Sequence, residues 1–173
     1  MSDPRDEIWS ASFNILYDSL YQEIVADRLV KKWQKIDALT RVLVALTASS
    51  SAVAGWALWT KPEVKPLWIV LSGIAAVLSI IHATLGVPDR IKQFTEDEGR
   101  FLSLRIQLEA FRYKMRIDSQ FDVANFTDDL LKFLERFAEN GRQIKNDLLR
   151  TRRLEEASQS QVNTALAKEI DEG

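Results

Sequence analysis

One histidine and no cysteine set the chemical range of this 173-residue chain. Without thiols there is no disulfide, no thiolate nucleophile and no cysteine metal site. A single imidazole, His82, excludes paired-histidine zinc motifs and leaves little material for acid–base catalysis. The six glycines form neither a GxGxxG turn nor a P-loop. Adjacent acids, Asp128/Asp129 and Glu155/Glu156, stand in polar helical surroundings where capping and solvation account for them. With no nucleophile–base pair, metal cluster or phosphate cradle in the pattern, the chain reads as a non-enzyme: no catalytic residue, no cofactor, no metal. The groups left for chemistry are hydroxyls and one imidazole set inside apolar runs: Thr47, Ser50, Ser51, Ser72, Ser79 and His82. In such a setting they hydrogen-bond across packed helices or line a polar path through lipid.

The elements that position these groups are two uncharged runs, residues 42–59 and 67–87, joined by the polar turn 60–66. At helical rise they span roughly 27 Å and 31 Å, against a hydrocarbon core of about 30 Å. Two transmembrane helices in a hairpin follow. The competing reading is a buried hairpin in a soluble bundle, but core helices of soluble proteins normally keep a polar face. The first run pairs Ala48 with Ala52 and Ser51 with Gly55, the small-xxx-small spacing that lets helices approach closely in lipid. In the second, Ser72, Ser79 and Gly86 recur every seven residues with Ala75, Ala76 and Ala83 beside them, while Ile69, Val70, Val77, Ile80 and Ile81 take the opposite side. The small seam should face protein and the bulky side lipid. Thr47, Ser50, Ser51, Gly55, Ser72, Ala76, Ser79 and His82 are therefore the candidate helix-packing or pore-lining residues. His82, on the edge of the seam, is expected to donate to a hydroxyl of the first run, with pH sensing or gating as the functional alternative. Trp56, Trp59 and Trp68 suit an aromatic belt at one interface.

Around the hairpin the chain is polar. Mean hydropathy is −0.15 although 46% of residues are apolar, so the apolar residues are concentrated in the middle. A net charge of −2 argues against nucleic-acid binding. The charge-studded first forty residues do not resemble a signal peptide. Residues 1–41 read as an amphipathic helix capped by Asp3, with Pro4 in its first turn and Trp9, Phe13, Leu16, Leu20 and Ile24 along one side. No breaker separates it from Val42. Residues 88–154 read as helices entered at Pro88, one with Phe94, Phe101, Leu104, Leu108, Phe111 and Met115 on a face. Arg100, Arg105, Arg112, Lys114 and Arg116 form its solvated or headgroup-facing side. A last helix, capped at Asn125 with Asp128, carries the near-heptad seam Leu130, Leu134, Phe137, Gly141, Ile144, Leu148. Residues 155–173 read as a polar, flexible tail in which the pattern thins to Val162, Leu166 and Ile170. The expected core is Trp9, Phe13, Leu16, Leu104, Leu108, Phe111, Leu134 and Phe137. Basic residues before the first run (Arg28, Lys31, Lys32, Lys35, Arg41) and after the second (Arg90, Lys92, Arg100, Arg105) outnumber Lys61 and Lys65 in the turn, which places both termini in the cytoplasm.

The layout resembles the SLATT family, bacterial two-transmembrane proteins associated with nucleotide second messengers and anti-phage conflict systems. The resemblance lies in the Trp- and Tyr-rich first helix (Trp9, Tyr17, Tyr21, Trp33), the basic approach Lys31, Lys32, Lys35, the close hairpin 42–87 and the helical part that follows, up to about Leu154. It is one of architecture, without a diagnostic motif. It implies an all-α protein of the bacterial inner membrane that forms homo-oligomers and disrupts the bilayer or forms pores in it when an upstream sensor or nucleotide signal reports infection. It carries over no catalytic residue. The alternative is a passive anchor whose cytoplasmic helices recruit a partner.

Overall fold

The computed structural model describes residues 3–49, 65–141 and 147–172, with side chains for these except 46–49, 65, 67, 68, 71, 72 and 168–172. The described residues are all-helical, without strands: α1 (Pro4–Ser49), α2 (Lys65–Leu85), α3 (Val87–Ile117), α4 (Val123–Asn140) and α5 (Arg152–Glu172). They divide into two compact units, one of Met1–Leu29 with Gln93–Gly173 and one of Val30–Lys92.

Asp3 starts α1 as expected. Its side chain accepts from the Arg5 amide at 2.9 Å and its carbonyl from the Asp6 amide at 3.0 Å. Two donors that a helix start leaves open are thereby paired, while Asp6 and Glu7 meet the positive end of the dipole. With no glycine or proline between Arg5 and Ser49, α1 passes Val42 unbroken.

In the first unit, parts of α1, α3, α4 and α5 build one hydrophobic core. The α3 face expected to be buried is buried throughout, Phe94, Phe101, Leu104, Leu108, Phe111 and Met115. The α1 face is rotated from expectation. Its buried line is Ile8, Ser12, Ile15, Ser19, with Leu16 and Ile24 beside it, and Trp9, Phe13 and Leu20 pack only along the edge. The serines allow close approach, and Ser12 Oγ satisfies itself on the Trp9 carbonyl at 2.8 Å.

Three further expectations are corrected here. Asp122, not Asn125, caps α4: its carboxylate accepts from the Ala124 amide at 2.9 Å and the Asn125 amide at 3.4 Å. The buried face of α4 is Phe126, Leu130, Phe133 and Phe137, which brings rings edge-on to Phe111 (5.5 and 5.4 Å) and Phe101 (5.9 Å). Leu134 and Leu148 are exposed, and α4 ends at Asn140, so the proposed seam through Leu148 does not form; Ile144 lies outside the described residues. The polar tail is the helix α5, with Leu154, Ser158, Val162 and Leu166 buried at four-residue steps. A polar outer face suffices for a helix that buries only one narrow stripe.

Basic residues clamp this unit together. Arg112 stacks 3.7 Å over the Trp9 ring and donates to the Trp9 carbonyl (2.9 Å) and Ser12 Oγ (3.2 Å). Arg105 pairs with Glu23 at 2.8 Å, and Arg5 reaches the Met115 carbonyl. The contacts run antiparallel between α1 and α3. On α5, Asn163 accepts from the Tyr17 hydroxyl at 2.8 Å and Gln161 accepts from Arg28 at 2.9 Å. Arg105 and Arg112 are thus structural groups and not part of a solvated or lipid-facing side.

Candidate functional site

The polar site lies in the unit Val30–Lys92. Along α1, Val30, Trp33, Asp37 and Thr40 recur at three- and four-residue steps, and Val30, Trp33 and Thr40 are buried. The Thr40 hydroxyl is occupied by the Ile36 carbonyl at 2.9 Å. Asp37 therefore holds an inward position on an otherwise covered seam. On α2 the covered side is Ala75, Leu78, His82 and Leu85. The chain leaves α2 through Gly86, whose φ of +58° is open to glycine at little cost. The break falls there and not at Pro88, which sits in the first turn of α3 where a missing amide proton costs nothing.

His82 Nε2 and Asp37 Oδ1 are 2.8 Å apart, and Arg41 Nε lies 3.0 Å from Asp37 Oδ2. One carboxylate thus takes a hydrogen bond from an imidazole on α2 and an ion pair from the next turn of α1. The side chains of His82 and Asp37 are mostly covered, at 22% and 15% exposure, while Arg41 is largely in the open. The His82 hydrogen bond holds the Asp37 carboxyl below the usual carboxylate range; burial opposes this, and Arg41 adds to it. Chemically the arrangement is a latch. It pins an imidazole ring and ties two helices through a charge-assisted bond. Among the described residues no group of three or more His, Asp or Glu could hold a metal ion.

The predicted site residues fare unequally. Ser50, Ser51 and Gly55 lie outside the described residues, as do the side chains of Thr47 and Ser72. Ala76 and Ser79 are exposed, as is Ala83, so the covered seam of α2 is turned away from the one read through Ser72, Ser79 and Gly86. His82 is placed on a partner, but that partner is Asp37 and not a hydroxyl. Sequence reading gave Asp37 no role. The available signal was an acid standing at a seam position within the basic flank Lys31 to Arg41.

The side of α2 read as bulky is exposed to solvent: Ile69, Val70, Val77, Ile80 and Ile81, Ile80 at 66%, and Ile74, not part of that reading, is exposed with them. Among the described residues no single helix is long and apolar enough to cross a membrane; one pair, Gly73–Leu85 with Val87–Ile117, meets that requirement jointly and is bent by 45°. No family model, curated protein or solved structure matches the chain.

Proposed function

We propose that this chain is a SLATT-like membrane effector of a bacterial anti-phage system. Residues 42–87 insert as a hairpin into the inner membrane, both termini stay in the cytoplasm, copies associate, and association breaches the bilayer when an upstream sensor or nucleotide signal acts on the helices outside it.

The observation that carries this reading is the exposed apolar face of α2. Burying a branched aliphatic side chain is worth about 1.5–3 kcal/mol, so six of them left in water form a strong drive toward a covering apolar phase. A bilayer covers such a face without any matching surface. Breaching needs several copies, because two helices per chain cannot enclose a path, and backbone polar groups are already paired within each helix. The lumen would then fall to side chains such as Ser79, which is exposed on α2.

Alkaline carbonate extraction tests insertion. The parent chain should stay in the membrane pellet, and the double variant Val77→Asp, Ile80→Asp should move to the supernatant. Release of the parent by carbonate overturns the reading. Single cysteines at Lys61 and at exposed Ala165 should label oppositely with a membrane-impermeant thiol reagent added to intact cells, Lys61→Cys from outside. Entry of an impermeant dye on induction, together with the genes that flank this one, then separates effector from anchor. A chain that stays inserted and never admits dye is an anchor for its cytoplasmic helices.

A further inference from the structure

Arg41 is the last charged residue of α1, and its side chain is 74% exposed. Its neighbours Leu39 and Val42 are exposed apolar residues. Ala38 and Ala45, one turn to either side on the same face, are exposed as well and too small to cover it. We propose, resting on the insertion of residues 42–87 above, that Arg41 binds the phosphate of an anionic phospholipid in the cytoplasmic leaflet.

The Asp37–His82 contact sets both helices to one level. On one side of it the exposed apolar surface begins, with Leu39 and Val42 on α1 and Ile80 and Ile81 on α2. On the other side stand the exposed cations Lys31, Lys35 and Lys92. Arg41 lies one turn inside this boundary, the deepest cation of α1. A charge at that depth is costly in hydrocarbon and reaches back to the headgroups. The helix aims it there, because side chains lean toward the N-terminus, which is the cytoplasmic end in the proposed orientation. Arg41 leans that way, with Nε 3.0 Å from Asp37 Oδ2. The other oxygen of Asp37 is taken by His82 at 2.8 Å. A guanidinium has five N–H donors, so one carboxylate oxygen leaves most of them for a further acceptor. Planar guanidinium groups match phosphate oxygens in pairs. An acid from a second inserted copy does not serve. Between Asp37 and Glu63, and again between Glu63 and Asp89, the chain has none, and Asp37 is itself 15% exposed and doubly occupied. The charge nearby selects an anionic headgroup, since Lys31, Lys32, Lys35, Arg90 and Lys92 join Arg41 at this end against Asp37 and Asp89.

Native mass spectrometry of the full chain in mild detergent, titrated with dioleoylphosphatidylglycerol, counts the lipid retained and does not require a bilayer. The parent should retain this lipid well above dioleoylglycerol, which has the same acyl chains and no phosphate. Arg41→Gln should weaken retention about tenfold, as expected for loss of a charge-assisted pair of hydrogen bonds. Arg41→Lys, which keeps the charge and loses the fork, should recover part of it. Lys35→Gln, exposed on another side of α1, should change retention by less than about twofold. Excess inorganic phosphate should leave the lipid in place. The proposal falls if Arg41→Gln retains the lipid as well as the parent, or if dioleoylglycerol is held equally. It falls if Lys35→Gln loses as much as Arg41→Gln, because the basic flank as a whole then holds the lipid. Displacement by inorganic phosphate makes the ligand a soluble anion and overturns it too. Carbonate extraction reads insertion separately. A parent released by carbonate, with lipid retention still dependent on Arg41, removes the insertion and supports the lipid site; a parent that stays in the pellet while Arg41→Gln keeps the lipid overturns the site alone.

Discussion

Removing the charge of Asp37 tests the latch between α1 and α2. A hydrogen bond to an ionised group contributes about 1.5–3 kcal/mol net when well shielded. Asp37 and His82 keep 15% and 22% exposure, so competition from water brings the His82–Asp37 contact to about 1 kcal/mol. Arg41, at 74% exposure and one turn away on the same helix, adds about 0.3–0.5 kcal/mol. Single variants mix these contributions with changes in solvation, so the measurement is a double-mutant cycle of Asp37→Asn and His82→Gln, with unfolding midpoints taken on the purified protein in mild detergent. The expected coupling at pH 7 is about 1 kcal/mol. The pH dependence has a definite sign. The folded carboxyl titrates below the unfolded value of 3.8, so the stability it supplies is complete above about pH 4 and fades as pH falls through the lower folded value. Coupling within the roughly 0.3–0.5 kcal/mol expected of independent sites would refute the latch.

Two leucines separate the expected core from the observed one. Leu108→Ala, in a fully buried position, should lower stability by about 2–5 kcal/mol, whereas Leu134→Ala, 42% exposed, should change it by less than about 1 kcal/mol; equal losses in urea titrations would mean that α4 packs by its other face. Asp97 is buried on the core seam of α3, and burial raises its carboxyl above the usual range against the pull of Arg100. The folded state therefore holds this proton more tightly than the unfolded state, and the group's contribution to stability declines as pH rises through that window. Asp97→Asn should raise the melting temperature at pH 7 and make little difference at pH 4, and a lower melting temperature at pH 7 would contradict the burial penalty.

Much of the first unit was legible because its signals are local. Phe101, Leu104, Leu108, Phe111 and Met115 lie at alternating three- and four-residue steps, with Phe94 seven residues before the first of them, and every one is buried. Asp3 followed by Pro4 marked a helix start that formed where expected. The same method failed where polarity and burial part company. Ser12, Ser19, Asp97 and Ser158 are buried although none is apolar, so a hydropathy pattern rotated the α1 face and dismissed α5. A second, exposed apolar stripe of α3, Leu102, Ile106, Tyr113 and Ile117, was hidden by the cations interleaved with it, two of which turn inward to Glu23 and Trp9.

By itself the sequence determined that this chain is helical, where most helices begin, which face of α3 is covered, and that α2 turns a bulky face away from its covered side. Those properties depend on neighbours within a turn or two, which the order of residues states outright. Only the tertiary structure decided who meets whom. His82 finds Asp37 across 45 residues, and Arg112 finds the Trp9 carbonyl across 103. Nothing in the local pattern marks such partners, because a hydrogen bond between helices depends on their rotation and register, and small polar side chains such as Ser12 set these as firmly as the large apolar ones do.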